Sequence, residues 1–199
     1  MWMTARHFTL DYAERAELRD GTPVLLRLVR PADKELLRAG FERLSEDSRY
    51  ARFFTPKSAL SDDELRYLTE VDHEDHLAIG ATSERDGEPS GLGVARFIRF
   101  ADRPEAAEAA IAVADEAQRK GLGRLLLLRL IAAARERGIE RFRFEVLRSN
   151  TGMATLIAEI APDRTVETAD GALSIEIALP DVEPASQRSA RVIAVSGIP

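Results

Sequence analysis

A chain of 199 residues, 45% apolar and 31% charged, is long enough for one domain with a sizeable core and has an ordinary globular composition. With 34 acidic against 28 basic side chains, a net charge of -6 and a pI near 5.3, it lacks the cationic footprint of a nucleic-acid partner. The absence of cysteine excludes a disulfide framework, a thiol acyl-enzyme and thiolate metal sites; no apolar run approaches the roughly 20 residues of a membrane span and no secretory signal opens the chain, so no membrane partner and a cytoplasmic location are expected.

Residues 1–21 mix alternating and charged stretches and close on Asp20-Gly21, a hairpin-type turn, which predicts an N-terminal extension or an extra leading strand. Residues 23–29 predict the first secure strand, closed by Arg30-Pro31. Asp33 then stands as the cap of a helix that places Leu36, Leu37, Gly40, Phe41 and Leu44 on one face. Ser61 and Glu64 have capping-box spacing and open a short helix that buries Leu65 and Leu68. His73 and His76 flank Glu74 and Asp75, but their spacing fits no zinc ligand set, so no metal site is expected. His76 leads straight into a strand over 77–82 and is expected to be structural or to line a substrate site. Residues 84–89 predict a turn and 91–100 the returning strand of a hairpin.

Residues 108–123 are the most informative. Small and β-branched residues at 109–113 predict a strand, the polar residues 115–120 a turn, and the leucine cluster that follows a buried helix ended by Gly138. Gly121 and Gly123 stand where the loop becomes the helix, so backbone amides there can face an anion at the positive end of the helix dipole. A tight turn that merely packs on the sheet is the other use of the same glycines. Arg124-Leu125 stands where the ATP-binding Walker loop needs Lys followed by Ser or Thr, and Leu126 where the dinucleotide fingerprint needs its third glycine. Residues 142–147 set Phe142, Phe144 and Val146 against charged neighbours, a strand with one dry face. Asn150 caps a helix carrying Met153, Leu156, Ile157 and Ile160, stopped by Pro162. Two last strands are expected over 164–167 and 172–179 around Gly171, then a polar tail over 181–199 with a strand-compatible run at 192–198.

Gln118-Arg119-Lys120-Gly121-Leu122-Gly123 resembles the pyrophosphate loop of the GNAT family of N-acetyltransferases, whose motif is Gln/Arg-x-x-Gly-x-Gly/Ala. Ile111-Ala112-Val113 before it resembles that family's splayed strand, and Asn150-Thr151-Gly152-Met153 resembles its second CoA contact. The resemblance covers residues 22–180, which are expected to form the acetyltransferase domain, and is strongest over 108–160. The runs 27–33, 41–45, 48–54 and 71–78 are similar to the bacterial protein-lysine acetyltransferase branch, in which a GNAT domain, often fused to other modules, acetylates enzymes such as acyl-CoA synthetases.

The resemblance implies an α/β fold with a mixed, splayed central sheet flanked by helices, the acyl-CoA N-acyltransferase fold. It implies acetyl-CoA as co-substrate, held by Ile111, Ala112, Val113, Gln118, Arg119, Lys120, Gly121, Leu122, Gly123, Arg124, Asn150 and Met153. The acetyl group would pass to a primary amine, a protein lysine included. Glu108 would draw off the amine's proton, and the Val113 amide would meet the oxyanion. Glu108 is expected to be partly buried, with Glu105 and His76 as the other candidate bases. Many family members carry a tyrosine where this chain has Ile157, as the acid that protonates the departing thiolate; the tyrosines here are Tyr12, Tyr50 and Tyr67. A thiolate with an aqueous pKa of about 8 to 9 leaves without much help, and the protein-lysine branch also tends to lack this tyrosine. Ala161-Pro162 replaces the usual Gly-Phe, a change at a helix end near the CoA tail. A catalytically silent acyl-CoA-binding module is the alternative, and a homodimer is left open.

Overall fold

The computed structural model describes residues 6–85, 87–169 and 171–182; the run at 192–198 lies outside the described residues. Strand β1 (Ala13–Glu17) and β2 (Pro23–Leu28) form the leading hairpin. Helices α1 (Lys34–Glu42), α2 (Glu46–Phe53) and α3 (Asp62–Thr69) follow, then β3 (His76–Arg85), β4 (Glu88–Arg99) and β5 (Ala106–Val113). The long helix α4 (Leu122–Arg135), β6 (Arg141–Leu147), α5 (Thr151–Ile160), β7 (Thr165–Ala169) and β8 (Ala172–Ala178) complete the order. The strands make one mixed eight-stranded sheet in the order β1-β2-β3-β4-β5-β6-β8-β7, antiparallel except for the parallel pair β5 and β6. The α/β class expected from the sequence is therefore what the chain forms.

Alternation builds the sheet, and two apolar clusters cover its faces. Leu122, Leu126, Leu127, Leu130 and Ile131 of α4 are fully buried with Phe97, Phe142 and Phe144. Such burial of large side chains is the main driving force, about 1.5–3 kcal/mol for each. Gly93 of β4 lets α4 approach: a Cβ there would lie 3.0 Å from Ala112 O and 3.1 Å from Leu126 Cδ1. A smaller cluster of Phe41, Leu44, Leu60, Leu65 and Leu68 unites α1 and α3.

The helix ends show which sequence signals govern. Ser61 and Glu64 form the expected capping box. Asn150 Oδ1 accepts from Met153 N at 3.1 Å. α4 ends at Arg135, and Gly138 (φ 74) turns the chain out as expected. Asp33 does not cap α1 with its side chain; its carboxylate is taken by Arg27 at 2.6 and 2.7 Å, a bidentate ion pair, and by the backward-lying amide of Arg30 at 2.8 Å. α2 is a helix that no apolar stripe announces, because none of its residues is buried.

The leading hairpin is bound into this body. Phe8 is fully buried, and Glu136 accepts from His7 N and Phe8 N at 3.0 Å each. Buried Arg137 donates to His73 O at 2.6 Å and to Ala133 O and Phe8 O at 2.8 Å, joining the end of α4 to two distant segments. Arg137→Met should therefore lower the unfolding free energy by about 2–4 kcal/mol, because the carbonyls lose a charged donor inside the protein. Urea denaturation reads this, and a loss below about 0.5 kcal/mol would show that the segments hold without the arginine.

Candidate active site

The parallel strands β5 and β6 pair only at Ala106↔Arg141, Ala107↔Phe142 and Glu108↔Arg143. Beyond Glu108 they diverge, while β5 stays on β4 as far as Val113 and β6 stays on β8 as far as Leu147. Ala114 N donates to Leu92 O on β4. By strand alternation the amides of Ile111 and Val113 then point the other way, into the opening. A buried backbone group needs a partner, so this open edge suits an extended ligand that bonds as a strand would.

The strand leads into a loop whose shape is set by two left-handed residues, Arg119 (φ 61) and Gly121 (φ 92). Gly121 is the N-cap of α4, so the first-turn amides of Leu122, Gly123 and Arg124 have no acceptor within the helix. A groove of about 780 Å³ runs past them, lined by Ile111, Ala112, Val113, Gln118, Arg119, Gly121, Gly123, Arg124, Asn150 and Met153. Two residues expected at this site point elsewhere. The Lys120 ammonium pairs with Asp20 at 2.8 Å, and the Leu122 side chain is fully buried in the core, so only their backbone remains at the loop. Gln118 turns inward, donating to Asp115 Oδ1 at 2.8 Å, Ser48 Oγ at 3.2 Å and Val113 O at 3.3 Å.

Sequence reasoning missed two contributors to the groove. Arg19 comes from the leading hairpin; its amide donates to Lys120 O at 3.0 Å and its side chain lies over Gly121. Its sole signal was the Asp20-Gly21 turn beside it. α2 is the second, tied to the loop where Asp115 accepts from Ser45 N at 2.8 Å and Ser48 Oγ at 2.5 Å. Burial acts to raise the Asp115 pKa, but the bonds from Ser48 and Ser45 outweigh it and hold the carboxyl below its ordinary range.

Next to the groove a cleft of about 440 Å³ is lined by Arg52, Phe53, Phe54, Glu108, Ala110, Glu145 and Asn150. Glu108 is exposed, not partly buried as expected, because pairing with β6 stops at its register position and leaves it at the mouth of the opening. Arg143, opposite, turns to Glu145 at 2.8 Å instead. Ile157 is fully buried, so the position that holds a tyrosine in many GNAT proteins belongs here to the core.

His76 Nε2 lies 3.1 Å from Arg96 Nη1, and the ring stacks at 5.2 Å from Tyr67. Burial, then the Arg96 charge, push its pKa down to about 4. Between the ordinary value of 6.5 and about 4 the unfolded chain binds the proton that the folded chain refuses. This contribution to stability is therefore complete above pH 6.5 and is lost as the pH falls toward 4. His76→Gln should flatten that part of the stability curve in denaturation followed from pH 7 to 4; an unchanged slope would exclude His76 as its source. Among the described residues no group of three or more His, Asp or Glu side chains is placed to hold a metal ion, and no helix is long and apolar enough to cross a membrane.

Comparisons with known proteins agree with this geometry. A family model described as the acetyltransferase (GNAT) family matches residues 37–159. Acetyltransferase Pat of Mycolicibacterium smegmatis is 32% identical over 170 residues, 84% of this chain, and the chain spans 49% of that relative's length. The crystal structure of the GNAT domain of S. lividans PAT superimposes with a TM-score of 0.75 at 31% identity, covering 84% of this chain and 97% of that one. The structure of yncA, a putative acetyltransferase from Salmonella typhimurium with its cofactor acetyl-CoA, shares the fold at a TM-score of 0.61 and 20% identity, covering 79% and 95%.

Proposed function

Since the chain belongs to the GNAT family of acetyltransferases, we propose that it transfers the acetyl group of acetyl-CoA to a primary amine, and that the amine is a lysine side chain of a protein. The observation that carries the proposal is the continuity of the open β5 edge with the glycine loop at the N-terminus of α4. Pantetheine would lie along Ile111 and Val113, and the pyrophosphate would meet the free amides of Gly123 and its neighbours, where the helix dipole favours negative charge. Arg19, Arg119 and Arg124 add positive charge along the groove.

Glu108 lies at the mouth of the cleft beside that groove, where a carboxylate can take the proton of an arriving ammonium directly or through water. The free amine then attacks the thioester carbonyl and the Val113 amide receives the oxyanion; as the carbonyl re-forms the C–S bond breaks, and the second proton of the now cationic nitrogen passes to the departing thiolate or to water. With Ile157 in the core, the CoA thiolate departs without a side-chain acid from that position. The protein-lysine acceptor is supported by the similarity of residues 27–33, 41–45, 48–54 and 71–78 to that branch of the family.

The buried Ile157 also favours the second function, a silent acyl-CoA-binding module. Thiol release from acetyl-CoA across a panel of amines and lysine peptides separates the two, and a chain without cysteine gives no background in a thiol assay. Saturable, amine-dependent release is expected. Tight acetyl-CoA binding without release would select the silent module.

A further inference from the structure

Two guanidinium groups, Arg52 in the lining of the cleft and Arg96 in the cavity that shares Arg52 with it, form no ion pair among the described residues, although the charge of Glu108 reaches Arg52 across the cleft. Arg96, in the middle of β4, is 3% exposed. Its Nη2 donates to Leu68 O at 3.2 Å and its Nη1 meets the uncharged His76 ring, so both partners are neutral. Arg52, half-buried in the last turn of α2, stands 5.2 Å over the Phe53 ring and is hydrogen-bonded to none of the described residues. Three other sheltered arginines are matched at short range, Arg27 with Asp33 at 2.6 Å, Arg129 with Glu14 at 2.6 Å and Arg99 with Asp75 at 2.7 Å, while Arg49 and Arg137 are satisfied mainly by backbone carbonyls. An acidic chain has carboxylates to spare, and an unmatched cation taken out of water is costly.

The two cations share one place. Both line a cavity of about 100 Å³ between α1, α3 and the sheet, and Arg52 also faces the cleft that holds Glu108. In the β4–β5 register Arg96 stands opposite Ala110 and Glu108 opposite Ile98, so Arg96 and Glu108 rise from the same face, with Cα atoms about 8 Å apart by strand spacing. Burial first, and then the like charge of Arg52, bring the Arg96 pKa down to about 9. The carbonyl ends of α2 and α3 face these arginines, a weaker compensation than an ion pair.

We propose that the cleft and the cavity that shares Arg52 with it form a two-part acceptor site for an amine that also carries a carboxylate, with the amine at Glu108 in the cleft and the carboxylate between Arg52 and Arg96. The planar forks of two arginines suit a carboxylate, and its charge relieves their mutual repulsion. Which end of the acceptor reacts rests on the acetyl-transfer function proposed above; the carboxylate site itself does not.

Titration calorimetry of the CoA-saturated protein with lysine, lysine amide and cadaverine tests the site by binding alone. Lysine should bind at least tenfold more tightly than either ligand without a carboxylate, and Arg52→Gln should bring the lysine-to-cadaverine ratio near one. Arg96→Gln should do the same, with Arg96→Lys held in reserve because Arg96 also ties α3 to the sheet. Lysine peptides with Asp or Asn beside the lysine form a second arm. A preference for Asp there, without one for free lysine, assigns the carboxylate to a peptide neighbour. Equal affinities in both arms, or a preference that survives Arg52→Gln, would overturn the proposal. A carboxylate preference in binding with no acetyl transfer would leave the anion site standing and remove the acetyl-transfer function, and transfer without the preference would do the reverse.

Discussion

Glu108→Gln is expected to cut amine-dependent turnover by about two to four powers of ten, the usual range for one positioned base, with little change in acetyl-CoA affinity. The substitution keeps the shape and polarity of a side chain that is exposed at the end of the β5–β6 pairing, so the fold is not at stake. In the parent protein kcat/KM should rise with pH toward the pKa of the acceptor amine, about 10 for a lysine, because the free amine is the nucleophile. Steady-state kinetics of both proteins with one lysine acceptor read the effect. A Gln variant with full turnover would place the base elsewhere. Glu105 is then the better candidate, since His76 faces Arg96 and stays uncharged down to about pH 4.

The sequence made the sheet and the loop legible because their signals are local. Alternation at 142–147, the turn at Asp20-Gly21 and the small residues before Gly121 each constrain the chain within a few residues, and the observed strands begin and end within a few positions of expectation. The capping residues Ser61 and Asn150 were legible for the same reason. What was not legible depends on side-chain partners outside the element concerned. Asp33 answers to Arg27 across a turn, and Lys120 to Asp20 from the leading hairpin. α2 holds to the loop through Asp115 rather than through an apolar face. Arg96 sits on a strand where charge is ordinarily read as a solvent-facing position, yet α3 closes over it. The exposure of Glu108 follows from where two strands part, which composition does not record.

The Gly121–Gly123 loop gives the second large effect. Gly123→Glu should weaken acetyl-CoA binding on the order of a hundredfold, equivalent to about 2.7 kcal/mol. A Cβ at Gly123 would meet Leu156 Cδ2 at 3.5 Å and Val113 Cγ2 at 3.9 Å, ordinary contacts, so the backbone accepts a side chain there. The glutamate must then extend into the groove, bringing a negative charge to the amides proposed to hold the pyrophosphate. Gly123→Ala separates bulk from charge: it adds the Cβ alone and should cost much less affinity. Gly121 is a harsher site, since its φ of 92 penalises any side chain by about 1–2 kcal/mol and would mix a folding effect into the binding one. Calorimetry with acetyl-CoA, accompanied by thermal unfolding of each variant, isolates the electrostatic part. Unchanged affinity in Gly123→Glu would mean that the phosphates lie away from the start of α4, and the glycines would then serve only to bring the loop against the sheet.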